Sequence, residues 1–219
     1  MHVLLTGATG MVGSLVLDHC LQSPQVTRIT SLSRRTCGIR HAKLNEVLVH
    51  DFSKLDEQIP NLNSIDTVYY CLGVYTGTVG KQDFYKISVD WPEILGKVLV
   101  KRNSGLRFCF LSGKGADRSG RSPIMYARAK GEVEIRLLKL GFRSFHAFRP
   151  GYIFSVIPRK EPNFWHRIPH FFYPLIKLFE PRFSIKSTAL AHAMFKVGVE
   201  GSELEILRNE DILKIELQS

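Results

Sequence analysis

The sequence lacks several features that would assign it to a specialised class. Its four cysteines form no C-x-x-C pair, and its eight histidines show no HExxH or comparable spacing, so we expect reduced thiols and no bound metal. No apolar run approaches the ~20 residues needed to cross a bilayer. The sequence has no basic region followed by an apolar stretch and a cleavage site, which argues against a secretory signal. These absences predict a cytoplasmic protein.

Acidic residues are scarce in one part of the chain. Residues 1–100 carry nine basic and nine acidic side chains, whereas residues 101–186 carry eighteen and five. The segment 187–219 has three basic and six acidic side chains, which brings the net charge to +10. A one-sided basic surface predicts an anionic partner. Charge alone does not choose among a phosphorylated cofactor, an acidic substrate, a membrane surface and nucleic acid. Because no zinc-finger or RRM-type signature is present, nucleic acid is not expected.

Short apolar runs alternate with helical patterns along the chain. This alternation predicts βαβ units and a doubly wound, Rossmann-like parallel sheet, which is an α/β fold. The predicted strands are 2–6, 27–34, 46–51, 66–73, 106–113, 142–150 and 203–207. The predicted helices are 11–23, 81–102 with a break near Asp90 and Pro92, 122–141 with Ser122 as its cap, one from Ser187, and 209–215.

The length of the chain predicts a single nucleotide-binding domain over residues 1–219. Beyond Pro150 the alternation loosens, and 151–186 is expected to form a small C-terminal subdomain or lid. Within it, residues 163–179 hold six Phe, Trp and Tyr side chains. Ordinary packing of the subdomain and a wall of the substrate pocket are the main interpretations of this segment. Contact with a membrane surface is the least favoured, and the oligomeric state stays open between monomer and dimer.

A glycine-rich turn follows the first predicted strand and opens the first helix. Its sequence, TGATGMVG, places Gly7, Gly10 and Gly13 in a G-x-x-G-x-x-G spacing. In dinucleotide-binding folds such glycines permit the tight turn, the approach of a pyrophosphate and close helix packing. The backbone N–H groups of Thr9, Met11 and Val12 are expected to face the phosphates at the helix N-terminus.

The end of the second strand bears on which dinucleotide binds. An NAD site usually carries an acidic residue there for the ribose hydroxyls, but this chain has Ser33, Arg34 and Arg35. Guanidinium groups pair with a 2′-phosphate through charge-assisted hydrogen bonds. We therefore favour NADP(H) over NAD(H). At the end of the third strand, Asp51 and Phe52 are expected to flank the adenine, although a plain strand-end aspartate is a comparable interpretation.

Tyr126 and Lys130 form a Y-x-x-x-K pair on a predicted helix, so the two side chains share one face. A nearby ammonium lowers the pKa of a phenol. The tyrosine can then pass a proton to a carbonyl, or take one from an alcohol. In a chain that also carries the glycine turn, this pair predicts an oxidoreductase.

Five segments of the sequence resemble motifs of one superfamily and occur in the order that this superfamily has them. They are TGATGMVG, CLG (71–73), LSGKGAD (111–117), YARAKGEVE (126–134) and FRPGYI (148–153). They resemble the short-chain dehydrogenases/reductases, and within them the atypical branch of NmrA-like and Tat-interacting oxidoreductase-like proteins. The resemblance implies that Cys71, Leu72 and Gly73 lie along the cofactor. It also implies that Tyr126 and Lys130 are catalytic or bind the ribose, and that Pro150, Gly151, Tyr152 and Ile153 line the nicotinamide pocket.

The sequence departs from the resembled family at one position. The family usually has two serines after the fifth strand, and the second supplies a catalytic hydroxyl, but this chain has Ser112 followed by Gly113. Ser112, or else Thr76 or Thr78, could take that role.

The leading hypothesis for the function is an NADPH-dependent oxidoreductase for a small carbonyl or alcohol. The alternatives are a non-catalytic NADP(H)-binding redox sensor or regulatory protein and, less favoured because the C-terminal region is small, a sugar-nucleotide epimerase.

Overall fold

Strands and helices alternate along the chain as the sequence predicts. The computed structural model describes residues 1–49, 51–55, 64–74, 77–156 and 184–217. The strands are β1 (His2–Thr6), β2 (Arg28–Ser33), β3 (Leu44–Leu48), β4 (Thr67–Tyr70), β5 (Arg107–Leu111), β6 (Ser144–Arg149), β7 (Tyr152–Phe154), β8 (Ser184–Lys186) and β9 (Ile206–Arg208). The α-helices are α1 (Met11–Gln22), α2 (Lys81–Tyr85), α3 (Trp91–Arg102), α4 (Met125–Leu138), α5 (Ser187–Glu200) and α6 (Asn209–Leu217).

Seven of these strands form one parallel sheet in the order β3-β2-β1-β4-β5-β6-β9. The predicted doubly wound, Rossmann-like fold is therefore confirmed. The chain leaves β1 toward one side of the sheet and later returns to add β4 on the other side. In such sheets ligands bind beyond the carboxyl ends of the strands, where the order reverses. Here that position lies between the ends of β1 and β4.

Both faces of the sheet are covered, which explains why the central strands are apolar throughout. On β5, Phe108 and Phe110 pack with the cluster that contains residues of α3 and α4. Between them, Cys109 points to the opposite cluster, which contains residues of α1 and α5. All three side chains are completely buried. This packing fixes the strand ends that carry the site.

The structure tests two of the predicted helix boundaries. A π-helical segment, Lys86–Asp90, joins α2 to α3, and Pro92 lies at the start of α3. The backbone stays helical through Asp90 and Trp91, so the predicted break is observed as a change of helix type, without a side-chain cap from Asp90. By contrast, the predicted cap at Ser122 is wrong, because α4 begins only at Met125. The Ser122 N–H donates to Asp117 Oδ2 over 2.7 Å. This hydrogen bond holds Ser122 in the preceding loop.

The C-terminal part returns to the sheet. Strands β7 and β8 pair as a separate two-stranded parallel ribbon, and α5 packs against α1 on the sheet. The predicted strand 203–207 is observed as the shorter β9. The predicted lid 151–186 and its aromatic stretch 163–179 fall largely or wholly outside the described residues. None of the described helices is long and apolar enough to span a membrane.

Candidate functional site

The glycine turn is folded tightly against the end of β4. Gly7 has φ +77°, and a Cβ added to it would lie 2.7 Å from the carbonyl carbon of Cys71. The Gly10 N–H donates to the Gly7 carbonyl over 2.8 Å. A Cβ on Gly13 would lie 2.1 Å from that same carbonyl oxygen. Gly7 and Gly13 therefore need to be glycine for the turn and the first helical turn to pack together.

The N-terminus of α1 is open to a ligand. Gly10 is its N-cap, no side chain caps the helix, and its first turn contains no acidic residue. Gly10, Met11 and Val12 line the adjoining cleft. Uncapped N–H groups and the positive end of the helix dipole suit a phosphate group. The residues of the turn therefore fit the pyrophosphate of a dinucleotide.

A cleft of about 420 Å³ extends from this turn across the carboxyl ends of β4, β5 and β6. It brings together most of the residues expected at the site. Of those, its lining contains Gly10, Met11, Val12, Cys71, Leu72, Gly73, Ser112, Tyr126, Lys130, Gly151, Tyr152 and Ile153. Val74, Leu111 and Ser155 complete the lining. Its volume falls within the range of small-molecule and cofactor sites.

Lys130 is the charged side chain in this lining. It is only 7% exposed, and its Nζ donates to the Leu111 carbonyl over 3.1 Å. The same Nζ lies 4.7 Å from the centroid of the Phe110 ring. Burial lowers the pKa of Lys130 to about 8. A lysine with this pKa is still largely protonated at pH 7, and it lies one helical turn from Tyr126 on the face that lines the cleft.

The hydroxyl of Tyr126 lies against Gly113. A Cβ added to Gly113 would be 2.0 Å from Tyr126 Oη, so any other residue at position 113 would displace the phenol. The structure thus accounts for glycine at position 113, where the resembled family has a serine, because Tyr126 occupies the space that a side chain at 113 would need. Among the predicted substitutes for the missing serine, Thr78 is exposed and does not line the cleft. Thr76 lies outside the described residues.

Ser112 is tied into a buried ionic cluster. Its Oγ donates to Glu134 Oε1 over 2.5 Å, and the Glu134 side chain is fully buried. Arg118 Nε donates to Glu134 Oε2 over 2.7 Å, and Arg149 Nε donates to Oε1 over 2.9 Å. Burial alone would raise the pKa of Glu134, but the hydrogen bonds from Arg149, Ser112 and Arg118 outweigh it and hold the pKa below its usual value. Ser112 is therefore positioned by an ionised carboxylate.

Sequence analysis did not identify this cluster. Glu134 follows Tyr126 and Lys130 at successive intervals of four residues, so all three share one face of α4. That spacing was the available signal for Glu134. Its arginine partners come from the end of β6 and from the loop after β5, and no local pattern links them.

The end of β2 carries the expected arginine pair. Arg34 and Arg35 are both exposed just beyond the carboxyl end of β2, which pairs in parallel with β1, and neither lines the cleft itself. Neither guanidinium pairs with a carboxylate in the part of the chain that the structure describes. Both remain available to an anionic group of a ligand.

At the end of β3, Asp51 and Phe52 occupy different environments. Asp51 is half-buried. The Phe52 ring is only 1% exposed and stacks on Trp91 with the ring centroids 4.8 Å apart. The Phe52 ring therefore belongs to the core, and the expectation that Phe52 flanks the adenine stays a prediction for its backbone alone.

The turn after β6 is held from the C-terminal part of the chain. Pro150 is buried, and its carbonyl accepts the Lys114 N–H over 2.9 Å. The Gly151 N–H donates to Asn209 Oδ1 over 2.9 Å, and Asn209 Nδ2 donates to the Ser184 carbonyl over 2.9 Å. Asn209, which sequence analysis missed, thereby fixes the strand β7 that forms one wall of the cleft.

Comparison with known sequences bears on this arrangement. The sequence model of the "NAD dependent epimerase/dehydratase family" matches residues 3–130, which include the glycine turn, Tyr126 and Lys130. The chain belongs to this family. It is 29% identical over 217 residues to "Protein HTATIP2" of Rattus norvegicus, covering 97% of this chain and 88% of that protein. It is also 32% identical to "Protein FMP52, mitochondrial" of Candida albicans, covering 74% and 71%.

Solved structures of this family type share the fold. A short chain dehydrogenase family protein from Francisella tularensis superposes with a TM-score of 0.69 at 13% identity, covering 96% of this chain and 98% of that one. The Bordetella bronchiseptica enzyme WbmH, in complex with NAD+, gives a TM-score of 0.69 at 19% identity, covering 94% and 74%. At these identities the two structures show a shared fold. The family relationship that the sequence predicts is confirmed by the match of the family's sequence model to residues 3–130.

Proposed function

We propose that this protein is an NADPH-dependent oxidoreductase that acts on a small carbonyl or alcohol. The observation that carries the proposal is the cleft itself, in which the N-terminus of α1 meets Tyr126 and Lys130. One end of the cleft suits a pyrophosphate, and the other end holds a proton donor beside a buried ammonium. This combination is what transfer of a hydride and a proton requires.

The bound dinucleotide would supply or accept the hydride at its nicotinamide. In the reducing direction Tyr126 donates its phenolic proton to the substrate oxygen, and in the oxidising direction the phenolate takes a proton from the alcohol. The ammonium of Lys130, one turn along α4, would stabilise the phenolate form of the tyrosine. Leu72, Val74 and Ile153 supply apolar surface that favours a substrate with an apolar body.

The preference for NADPH rests on the end of β2. A 2′-phosphate there would meet the exposed Arg34 and Arg35 and would find no acidic residue at the end of that strand. Guanidinium groups bind phosphates through paired, charge-assisted hydrogen bonds. NADH lacks this phosphate, so it would gain nothing from the arginines.

A second candidate function is a redox sensor or regulatory protein that binds NADP(H) without turnover. It is favoured by the Ser112–Glu134 hydrogen bond and by Gly113, because no serine hydroxyl at these two positions is released to polarise a substrate. The sugar-nucleotide epimerase hypothesis stays the least favoured.

A cytoplasmic location likewise stays a prediction, which fractionation of cells expressing the full chain would test against the mitochondrial designation of the fungal relative.

The experiment measures NADPH oxidation by the purified protein across a panel of aldehydes and ketones, alongside the Tyr126→Phe variant. The proposal predicts substrate-dependent oxidation that falls at least about a hundredfold in the variant, the usual contribution of a general acid. Thr78→Val, which removes an exposed hydroxyl outside the cleft, is the control and should retain full activity. Tight NADPH binding without turnover, in both wild type and Tyr126→Phe, would identify the sensor instead.

A further inference from the structure

A short segment after β2, residues 33–38, is held by hydrogen bonds to the neighbouring strand β3. Both carboxylate oxygens of Glu46 take part. Its Oε2 accepts a hydrogen bond from Thr36 Oγ1 over 2.5 Å, and its Oε1 accepts the Cys37 N–H over 2.7 Å. Thr36 Oγ1 also accepts the Gly38 N–H over 3.1 Å. Glu46 thus closes one end of the segment.

The other end of the segment is also fixed. Ser33 Oγ donates to the Arg35 carbonyl over 2.6 Å, and the Val49 N–H donates to the Ser33 carbonyl over 2.9 Å. Arg34 and Arg35 lie between these two anchors with exposed side chains. The backbone that carries the arginine pair is therefore held on both sides while the guanidinium groups face solvent.

We propose that Glu46 is a positioning residue for the 2′-phosphate of NADPH and thereby helps to set the preference for NADPH over NADH. This inference rests on the proposed NADPH preference. Glu46 would not touch the cofactor. It would act through Thr36 and Cys37 by holding the main chain in the conformation that presents Arg34 and Arg35 to the phosphate.

Electrostatics alone predict the opposite effect, and this makes the proposal testable. A carboxylate near a phosphate site repels the phosphate. Burial raises the pKa of Glu46, but hydrogen bonds from Thr36 and Cys37 outweigh it and keep the pKa below its usual value. Glu46 is therefore charged at neutral pH. If it acted only through its charge, removing it would tighten NADPH binding. If it positions the arginines, removing it would weaken NADPH binding.

The expected size follows from the cost of ordering side chains. Immobilising one long side chain on binding changes affinity by roughly two- to twelvefold. If the segment were released, NADPH binding would have to order the arginine side chains, and the affinity for NADPH would fall by this factor. Because NADH has no 2′-phosphate to engage the arginines, its affinity should not change.

The test measures dissociation constants of NADPH and NADH for Thr36→Val and Glu46→Ala. The hydrogen bonds that join Glu46, Thr36, Cys37 and Gly38 are called the Glu46 clamp. Thr36→Val removes two of them, the one donated to Glu46 and the one accepted from the Gly38 N–H, without changing any charge. Thr27→Val is the matched control, because Thr27 lies just before the opposite end of β2, is exposed, and its hydroxyl donates to the Met1 carbonyl over 3.2 Å. Thermal melts confirm that each variant is folded. Amide hydrogen exchange of Cys37 gives a readout independent of the cofactor.

The proposal predicts that both clamp variants weaken NADPH binding at least about twofold, leave NADH binding unchanged and speed exchange of the Cys37 amide, with Thr27→Val as wild type. Unchanged NADPH affinity, tighter NADPH binding in Glu46→Ala, or equal weakening of NADH would overturn it. The double variant Arg34→Ala/Arg35→Ala distinguishes failure of the Glu46 proposal from failure of the proposed NADPH preference. If this double variant loses NADPH preference while the clamp variants keep it, only the role of Glu46 fails. If the wild type binds both cofactors equally, the NADPH preference fails and the role of Glu46 fails with it.

Discussion

Replacing Glu134 by alanine should destabilise the protein far more than replacing its near neighbour Glu132. Both glutamates lie on α4 and bind arginines, but the Glu134 side chain is fully buried whereas that of Glu132 is 39% exposed. Removing one partner of a buried ion pair costs about 3–5 kcal/mol, because the remaining charge is left without compensation. Removing an exposed partner costs about 0–1 kcal/mol.

The structure places the Glu134 effect at the lower end of its range. Arg118 would keep its ion pair with Glu205, and Arg118 and Arg149, which are 24% and 16% exposed, can recruit water. We therefore expect a loss of about 3 kcal/mol in the free energy of unfolding. In a chain of this length, 1 kcal/mol shifts Tm by about 2–4 °C, so Glu134→Ala should melt about 6–12 °C lower than wild type. Urea unfolding measures the free energy and thermal unfolding measures Tm, both followed by circular dichroism.

The pH dependence gives a second check on Glu134. Its pKa in the folded state lies below the usual 4.5. The carboxylate therefore contributes stability above pH 4.5, and this contribution is lost as the pH falls through the folded pKa. The difference between wild type and Glu134→Ala should shrink on acidification below 4.5. A difference no larger than that of Glu132→Ala at pH 7, or one that grows on acidification, would refute this reasoning.

Three further predictions concern the cleft. Gly13→Ala should lower the free energy of unfolding, measured in urea, by about 1–3 kcal/mol, because its Cβ would lie 2.1 Å from a backbone oxygen. Gly10→Ala, whose Cβ would lie 3.0 Å from the nearest atom, should lower it less. Equal losses would contradict the packing of the glycine turn. Gly113→Ala should leave Tm nearly unchanged but displace the Tyr126 hydroxyl; a crystal structure with this phenol unmoved would refute the account. Finally, activity should fall as the pH rises through about 8, where Lys130 loses its proton. A Lys130→Met variant with residual activity that keeps this limb would show that another group titrates.

The sequence was sufficient to predict the seven strands of the main sheet, though not β7 and β8, and the face of α4 that carries Tyr126 and Lys130. These features depend on local periodicity and on glycines whose spacing has a steric cause. Gly13, for instance, is needed because the turn folds back within six residues of Gly7. The predicted break near Pro92 is local in the same sense, since proline is tolerated at the start of a helix and not in its interior.

The features that sequence analysis missed depend on contacts between distant parts of the chain. Phe52 follows a strand end next to Asp51, which suggested a ligand contact, but Trp91 supplies the partner that buries its ring. Glu134 acquires its role only when the ends of β5 and β6 bring Ser112 and Arg149 to it.

Direct titration of the wild-type protein with NADPH and with NADH, followed by calorimetry, tests whether the cleft is a dinucleotide site that prefers NADPH. The cleft beside the glycine turn should bind both dinucleotides, and NADPH should bind at least about tenfold more tightly than NADH. A tenfold difference in dissociation constant corresponds to about 1.4 kcal/mol, which is about what an exposed arginine–phosphate contact supplies. Equal affinities would contradict the role given to Arg34 and Arg35. Failure to bind either dinucleotide would contradict the assignment of the cleft itself.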